Sequence, residues 1–179
     1  MMIYYWFKKI QVLHMLNVFL ICISLNFIFS DEKLNFSANS LETVTENDIE
    51  KQIFKEQVII TKNTLQLYTD KAVYFPLSDE IILVNNVRMY DQQDTLYCDS
   101  LIFFNQENKN FKAFENVEFF QKENKITCEN LEYQEISGFG NRLLNIFNQA
   151  TVQDSLRIIS GDSIYVQYKD SLLNNIKIL

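Results

Sequence analysis

Histidine, tryptophan, glycine and proline are scarce in this chain of 179 residues, which has one His, one Trp, three Gly and one Pro. His14 and Trp6 both fall within the first thirty residues. The remainder therefore lacks the commonest general base and the commonest metal ligand, so neither an enzyme nor a bound cofactor or metal is expected. So little Gly and Pro argues against a loop-rich scaffold, and the abundant Phe and Tyr favour strands. A basic surface is missing too. Beyond residue 30, 14 Lys plus Arg face 23 Asp plus Glu, a net charge of −9. Nucleic-acid phosphates require a basic face, so no nucleic-acid partner is expected.

Residues 1–30 stand apart from residues 31–179. Lys8 and Lys9 precede an uncharged apolar run from Ile10 to Phe29, and acidic residues begin at Asp31 and Glu32. The pattern predicts a hydrophobic helix that is either a signal peptide, cut after Ser30, or a retained membrane anchor. Gln11, His14, Asn17 and Asn26 weaken the anchor. Cys22 follows Ile21, where lipid attachment would require a small residue. Either reading exports the rest of the chain.

The exported part is dominated by an internal repeat. The segments FSANSLET (36–43), LYTDKAVY (67–74), LYCDSLIF (96–103), ITCENLEY (126–133) and ISGDSIYV (159–166) share one layout. Their third positions, Ala38, Thr69, Cys98, Cys128 and Gly161, recur at nearly even intervals along the chain. A second motif alternates with the first: EQVII (56–60), NNVRM (85–89), ENVEF (115–119), ATVQD (150–154) and NNIKI (174–178). The step from Val58 to Thr69 is identical to that from Val87 to Cys98 and from Val117 to Cys128. Such self-similarity marks a repeat architecture.

The apolar spacing is that of strands. Ile81, Leu83, Val87 and Met89 share a face, as do Phe111, Ala113, Val117 and Phe119, and period-two alternation with polar partners is a half-buried strand. Polar turn segments such as PLSDE (76–80), DQQD (91–94) and QKEN (121–124) separate the strands. Leu67, Leu96, Ile126 and Ile159 precede the next shared apolar positions, Ala72, Leu101, Leu131 and Ile164, by five residues. An odd step cannot keep one face in a flat strand, so the chain must bulge or bend near Asp70, Asp99, Glu129 and Asp162. A sheet bent at the same place in every repeat becomes a trough with apolar inner faces. The expected fold is all-β: an open, bent antiparallel trough of about five two-stranded repeats, each of roughly 29–33 residues.

Cys98 lies beside Asp99 and Ser100, a grouping that could suggest a nucleophile. Its equivalents in other repeats are Ala38, Thr69 and Gly161, so the position calls for a small residue, and an activating base is missing. A Cys98–Cys128 disulfide is open to an exported chain, although an intervening strand would hold the two beyond the bridging limit of about 7 Å between Cα atoms. A metal site from Cys98, Asp99, Cys128 and Glu129 lacks the close pairing of zinc motifs.

A leader followed by repeats of the form Asn-Val, polar turn, small-Asp-x-apolar-x-aromatic resembles the organic solvent tolerance protein N-terminal-like domain of the periplasmic lipopolysaccharide transport proteins. The passage LYCDSLIFFNQENKNFKAFENVEFF is similar to OstA-like proteins, and the resemblance spans about residues 34–179. Gly usually precedes Asn-Val in the family, whereas Asn85, Glu115 and Asn174 stand there in this chain. The resemblance implies an open β-jellyroll in the periplasm, soluble after signal cleavage or anchored to the inner membrane if residues 10–29 are retained. Its interior would hold the acyl chains of lipopolysaccharide or a related lipid for transport toward the outer membrane. The lining residues would be Val58, Ile60, Leu67, Val87, Met89, Leu96, Leu101, Phe103, Val117, Phe119, Ile126, Leu131 and Tyr133. The alternative is an exported structural β-repeat protein whose trough is filled by its own side chains. Related OstA-like proteins, or head-to-tail copies of this chain, are the expected protein partners, through edge strands such as NNIKIL.

Overall fold

The fold is that of a computed structural model, which describes residues 33–105, 108–136, 141–169 and 172–178. The expected leader and its cut after Ser30 lie outside these residues. Among the described residues no helix is long and apolar enough to cross a membrane. The compact unit Leu34–Leu179 consists of strands β1 (Asn35–Ser37), β2 (Ser40–Glu46), β3 (Ile49–Lys62), β4 (Leu65–Phe75), β5 (Glu80–Asp91) and β6 (Asp94–Asn105). It continues with β7 (Lys109–Gln121), β8 (Asn124–Glu135), β9 (Arg142–Gln153), β10 (Ile158–Lys169) and β11 (Leu172–Ile178). From β3 onward each strand pairs antiparallel with the next, and β1 and β2 share the outer side of β3. The sheet is open, with edges at β1 and β2 and at β11. This is the expected bent antiparallel trough.

Every full-length strand crosses a corner. On β3, β5, β7 and β9 the corner consists of two successive left-handed residues: Glu56 and Gln57, Asn85 and Asn86, Glu115 and Asn116, Asn148 and Gln149. Each pair is a bulge facing one residue of the strand that follows, the acidic Asp70, Asp99, Glu129 or Asp162. Two residues against one bends the sheet and raises its local twist. Asn tolerates φ near +60°, but Glu does so at a cost of about 1–2 kcal/mol per residue. Glu56 and Glu115 nevertheless take φ of 63°, so the tertiary bend overrides local preference. Asn86 Nδ2 donates to Asp70 Oδ2 and Asn116 Nδ2 to Asp99 Oδ2, both at 2.6 Å. At Asp70 and Asp99 the acidic side chain thus ties the corner to the bulge of the next strand.

Two repeat alignments need correction. The fourth copy of the second motif is NQATV (148–152), because Asn148 and Gln149 carry the left-handed angles and Ala150 pairs with Gly161. The step from Ala150 to Gly161 then equals that from Val58 to Thr69. The offset from ATVQD arises in the longer β8–β9 connection, which sequence spacing alone could not apportion. The fifth copy, NNIKI, is not a corner at all. In β11, Asn175 pairs with Gln167 and Ile176 with Val166, beyond Asp162 in β10. Asn174 follows Asp162 more closely than Asn85 follows Asp70, so the short hairpin places Asn-Asn partway along the sheet.

The corner divides the sheet into two arms whose inner faces form one core. Val58, Leu67, Met89, Leu96, Phe119 and Ile126 lie on the first arm, and Ala72, Leu83, Leu101, Phe111, Leu131 and Ile146 face them from the second. Phe119 meets Phe111 and Tyr133 edge-on across the interior, with ring centroids 6.1 and 6.0 Å away. At the β1 end, Phe36 stacks on Phe54 at 4.6 Å and leans on Tyr74.

Candidate functional site

The interior between the arms is the candidate site. All thirteen residues expected to line it point inward and are buried, from Ile60, Leu67 and Met89 at 0% to Phe103 at 4% exposure. Period-two alternation places them there, and the corner bulges carry the inward face from one arm to the other. Leu144, Ile146, Ile164 and Val166 extend the same interior. Leu144 and Ile146 were missed as lining residues because the β8–β9 connection obscured their register, whereas Ile164 and Val166 hold the repeat positions of Leu101 and Phe103 and were legible from that alignment.

The small positions line the inner side of the corner. Thr69 Oγ1 lies 2.8 Å from the Val84 carbonyl and 2.9 Å from that of Asn85, and its one proton can serve either. Cys98 and Cys128 occupy the same position on β6 and β8 and are free thiols. With β7 between these strands, no disulfide joins them. Burial and the nearby Asp99 charge push the Cys98 thiol up to about 12 against a weaker backbone bond from Phe114. Burial likewise pushes Cys128 up to about 12. A thiol that stays protonated is a poor nucleophile and a poor metal ligand. Among the described residues no group of His, Cys, Asp and Glu could hold a metal ion.

Opposite the corner, where the strand ends of the two arms meet, the interior has a polar rim that sequence reasoning did not find. Lys109, at the start of β7 on the second arm, reaches Asp91 at 2.9 Å and Asp94 at 3.4 Å on the β5–β6 turn of the first arm. Arg142 Nη1, at the start of β9, lies 3.9 Å from Asp94. A cavity of about 420 Å³ opens here, lined by these residues with Lys122, Tyr133 and Glu135. Burial raises the Asp91 carboxyl, but bonds from Thr64 and Lys109 outweigh it and hold the group below its ordinary value. Farther along the rim, Lys62 donates to Asn105 Oδ1 at 2.7 Å, and Asn105 donates to Asp79 Oδ2 at 2.7 Å. Lys109 and Arg142 hold one repeat position, each eight residues before the corner residue Val117 or Ala150, but that equivalence appears only in the corrected β9 register, and Asp91 and Asp94 give way to Gln121 and Asn124 in the next repeat.

The geometry describes an apolar slot between two bent arms, closed by backbone on one side and by charged side chains on the other. The family model described as OstA-like protein matches residues 34–141 and 76–165. No curated protein matches the chain. The chain belongs to the OstA-like family.

Proposed function

From membership of this family, we propose that the chain is a periplasmic, non-enzymatic lipid carrier. It holds the acyl chains of lipopolysaccharide or a related lipid between its arms and passes them toward the outer membrane. The observation that carries this reading is the continuity of the apolar interior, which runs from Phe54 on β3 to Tyr168 on β10 as one cluster. Each buried CH₂ of an acyl chain contributes roughly 0.8 kcal/mol, so such a surface can retain a lipid without any reactive group. The open edges support handover. Among the described residues β11 at one end and β1 with β2 at the other are edge strands, along which a related OstA-like domain or a second copy could extend the slot.

A second reading is favoured by the burial itself. The proposed lining residues are almost completely shielded from solvent, so the arms already fill the slot between them, as a scaffolding repeat protein would. The two readings diverge on whether the arms separate. Photo-crosslinking side chains at Phe103 and Val117, with outward Arg88 as control, test this in the exported protein. The carrier reading expects lipid adducts at the two inner positions and none at Arg88; a scaffold gives none anywhere.

A further inference from the structure

The ion pairs of the described residues sort by position. On the outer faces, Lys112–Glu132 and Lys125–Glu118 leave their side chains 38–47% exposed. The pairs joining the tips of the two arms, Lys109–Asp91, Lys109–Asp94 and Arg142–Asp94, are only 11–23% exposed. Exposed pairs contribute little to stability, and a partly buried pair must recover a desolvation cost, so hydrophobic residues would hold the tips together at least as well. Arg142 also keeps its Nε buried without a hydrogen-bond partner, so this cluster is not fully satisfied even when closed. Its location differs in kind from the rest of the boundary. At the corner the covalent backbone of each strand runs from one arm into the other, and the β1 end is plugged by Phe36 between Phe54 and Tyr74. At the tips, side-chain bonds alone join arm to arm.

We infer that Lys109 and Arg142, paired with Asp91 and Asp94, form a latch whose release parts the arms and opens the interior sideways between strand tips. Separating the tips breaks no strand pairing, because Lys109 and Arg142 lie on the second arm and the β5–β6 turn on the first. Hinging occurs at the corner, where the ladder is already interrupted by the paired left-handed residues. What enters through the opening rests on the carrier reading; the latch itself does not.

Spin labels on Gln93→Cys and Gln134→Cys, two exposed positions on the tips of opposite arms, measure the opening directly. The buried, protonated Cys98 and Cys128 resist labelling. With the latch intact, the tip-to-tip distance distribution is single and narrow. Lys109→Met with Arg142→Gln adds a longer-distance population, and the reversed pair Lys109→Asp with Asp91→Lys restores the narrow one. Lys112→Met, which removes an outer-face pair, changes nothing. An unchanged distribution in the Lys109→Met, Arg142→Gln protein, or equal broadening in Lys112→Met, overturns the latch. The same variants are then mixed with vesicles containing a radiolabelled acyl lipid. Broadening without any lipid uptake retains the latch and removes the carrier reading, whereas uptake with an unchanged distribution does the reverse.

Discussion

At the corner, four strands turn through the same two left-handed residues against the same acidic partner. At the opposite side of the slot, the arms meet through side chains, chiefly the charges Lys109 and Arg142 with Asp91 and Asp94, and a Lys62–Asn105 bond farther along. The corner is held by backbone geometry and is renewed in each repeat, so damage to one copy leaves the others. The mouth is held by side chains gathered from three separate turns, so one substitution removes most of it. A sheet bent in this way keeps a permanent hinge and a breakable closure on opposite sides of one apolar layer.

The comparison breaks most severely if the layer between them is hollowed. Phe119→Ala removes the ring that meets Phe111 and Tyr133 across the interior, and should cost about 3–5 kcal/mol in denaturant unfolding. The mouth comes next. Lys109→Met leaves Asp91 without its ion-pair partner and Asp94 with only Arg142 at 3.9 Å, and the loss should be about 2 kcal/mol, less than for a fully buried pair because the site is partly solvated. That loss should depend on pH. Asp91 sits below its ordinary 3.8 in the folded protein, so its contribution is full above the ordinary value and disappears as pH falls through the folded one. Melting of wild type and Lys109→Met at pH 6 and pH 3 should show the gap narrowing in acid; a constant gap would remove Asp91 from the latch.

The corner should respond in the opposite direction. Glu115→Gly relieves a left-handed Glu at φ 63° and should raise stability by about 1 kcal/mol, read as a higher Tm. The smallest effect belongs to Cys98→Thr. The Thr69 hydroxyl already serves the equivalent corner, so the change should stay within about 1 kcal/mol, whereas a thiol with a chemical role would not tolerate it.

The two regions also differ in how far the sequence disclosed them. The trough was legible because strand alternation and a constant motif-to-motif step are local and repeated: Val58 to Thr69, Val87 to Cys98 and Val117 to Cys128 mark the same bend three times. The thirteen residues that the resemblance offered as a lining share the same alternation, and all of them are buried. Where a connection changed length, legibility failed. The longer β8–β9 link displaced the fourth motif from ATVQD to NQATV, and the short β10–β11 hairpin moved NNIKI off the corner. DQQD (91–94) was legible as a turn, but the partners of its two aspartates were not, because Lys109 and Arg142 come from the tips of the facing arm.

The sequence by itself determined which residues face inward and where each strand must bend, because side-chain direction alternates along a strand and a shift in that alternation is written in neighbouring residues. Only the tertiary structure decided how tightly the arms close and which charges seal them. Those depend on distances between chain segments far apart in sequence, set when the bend brings distant turns to the same rim.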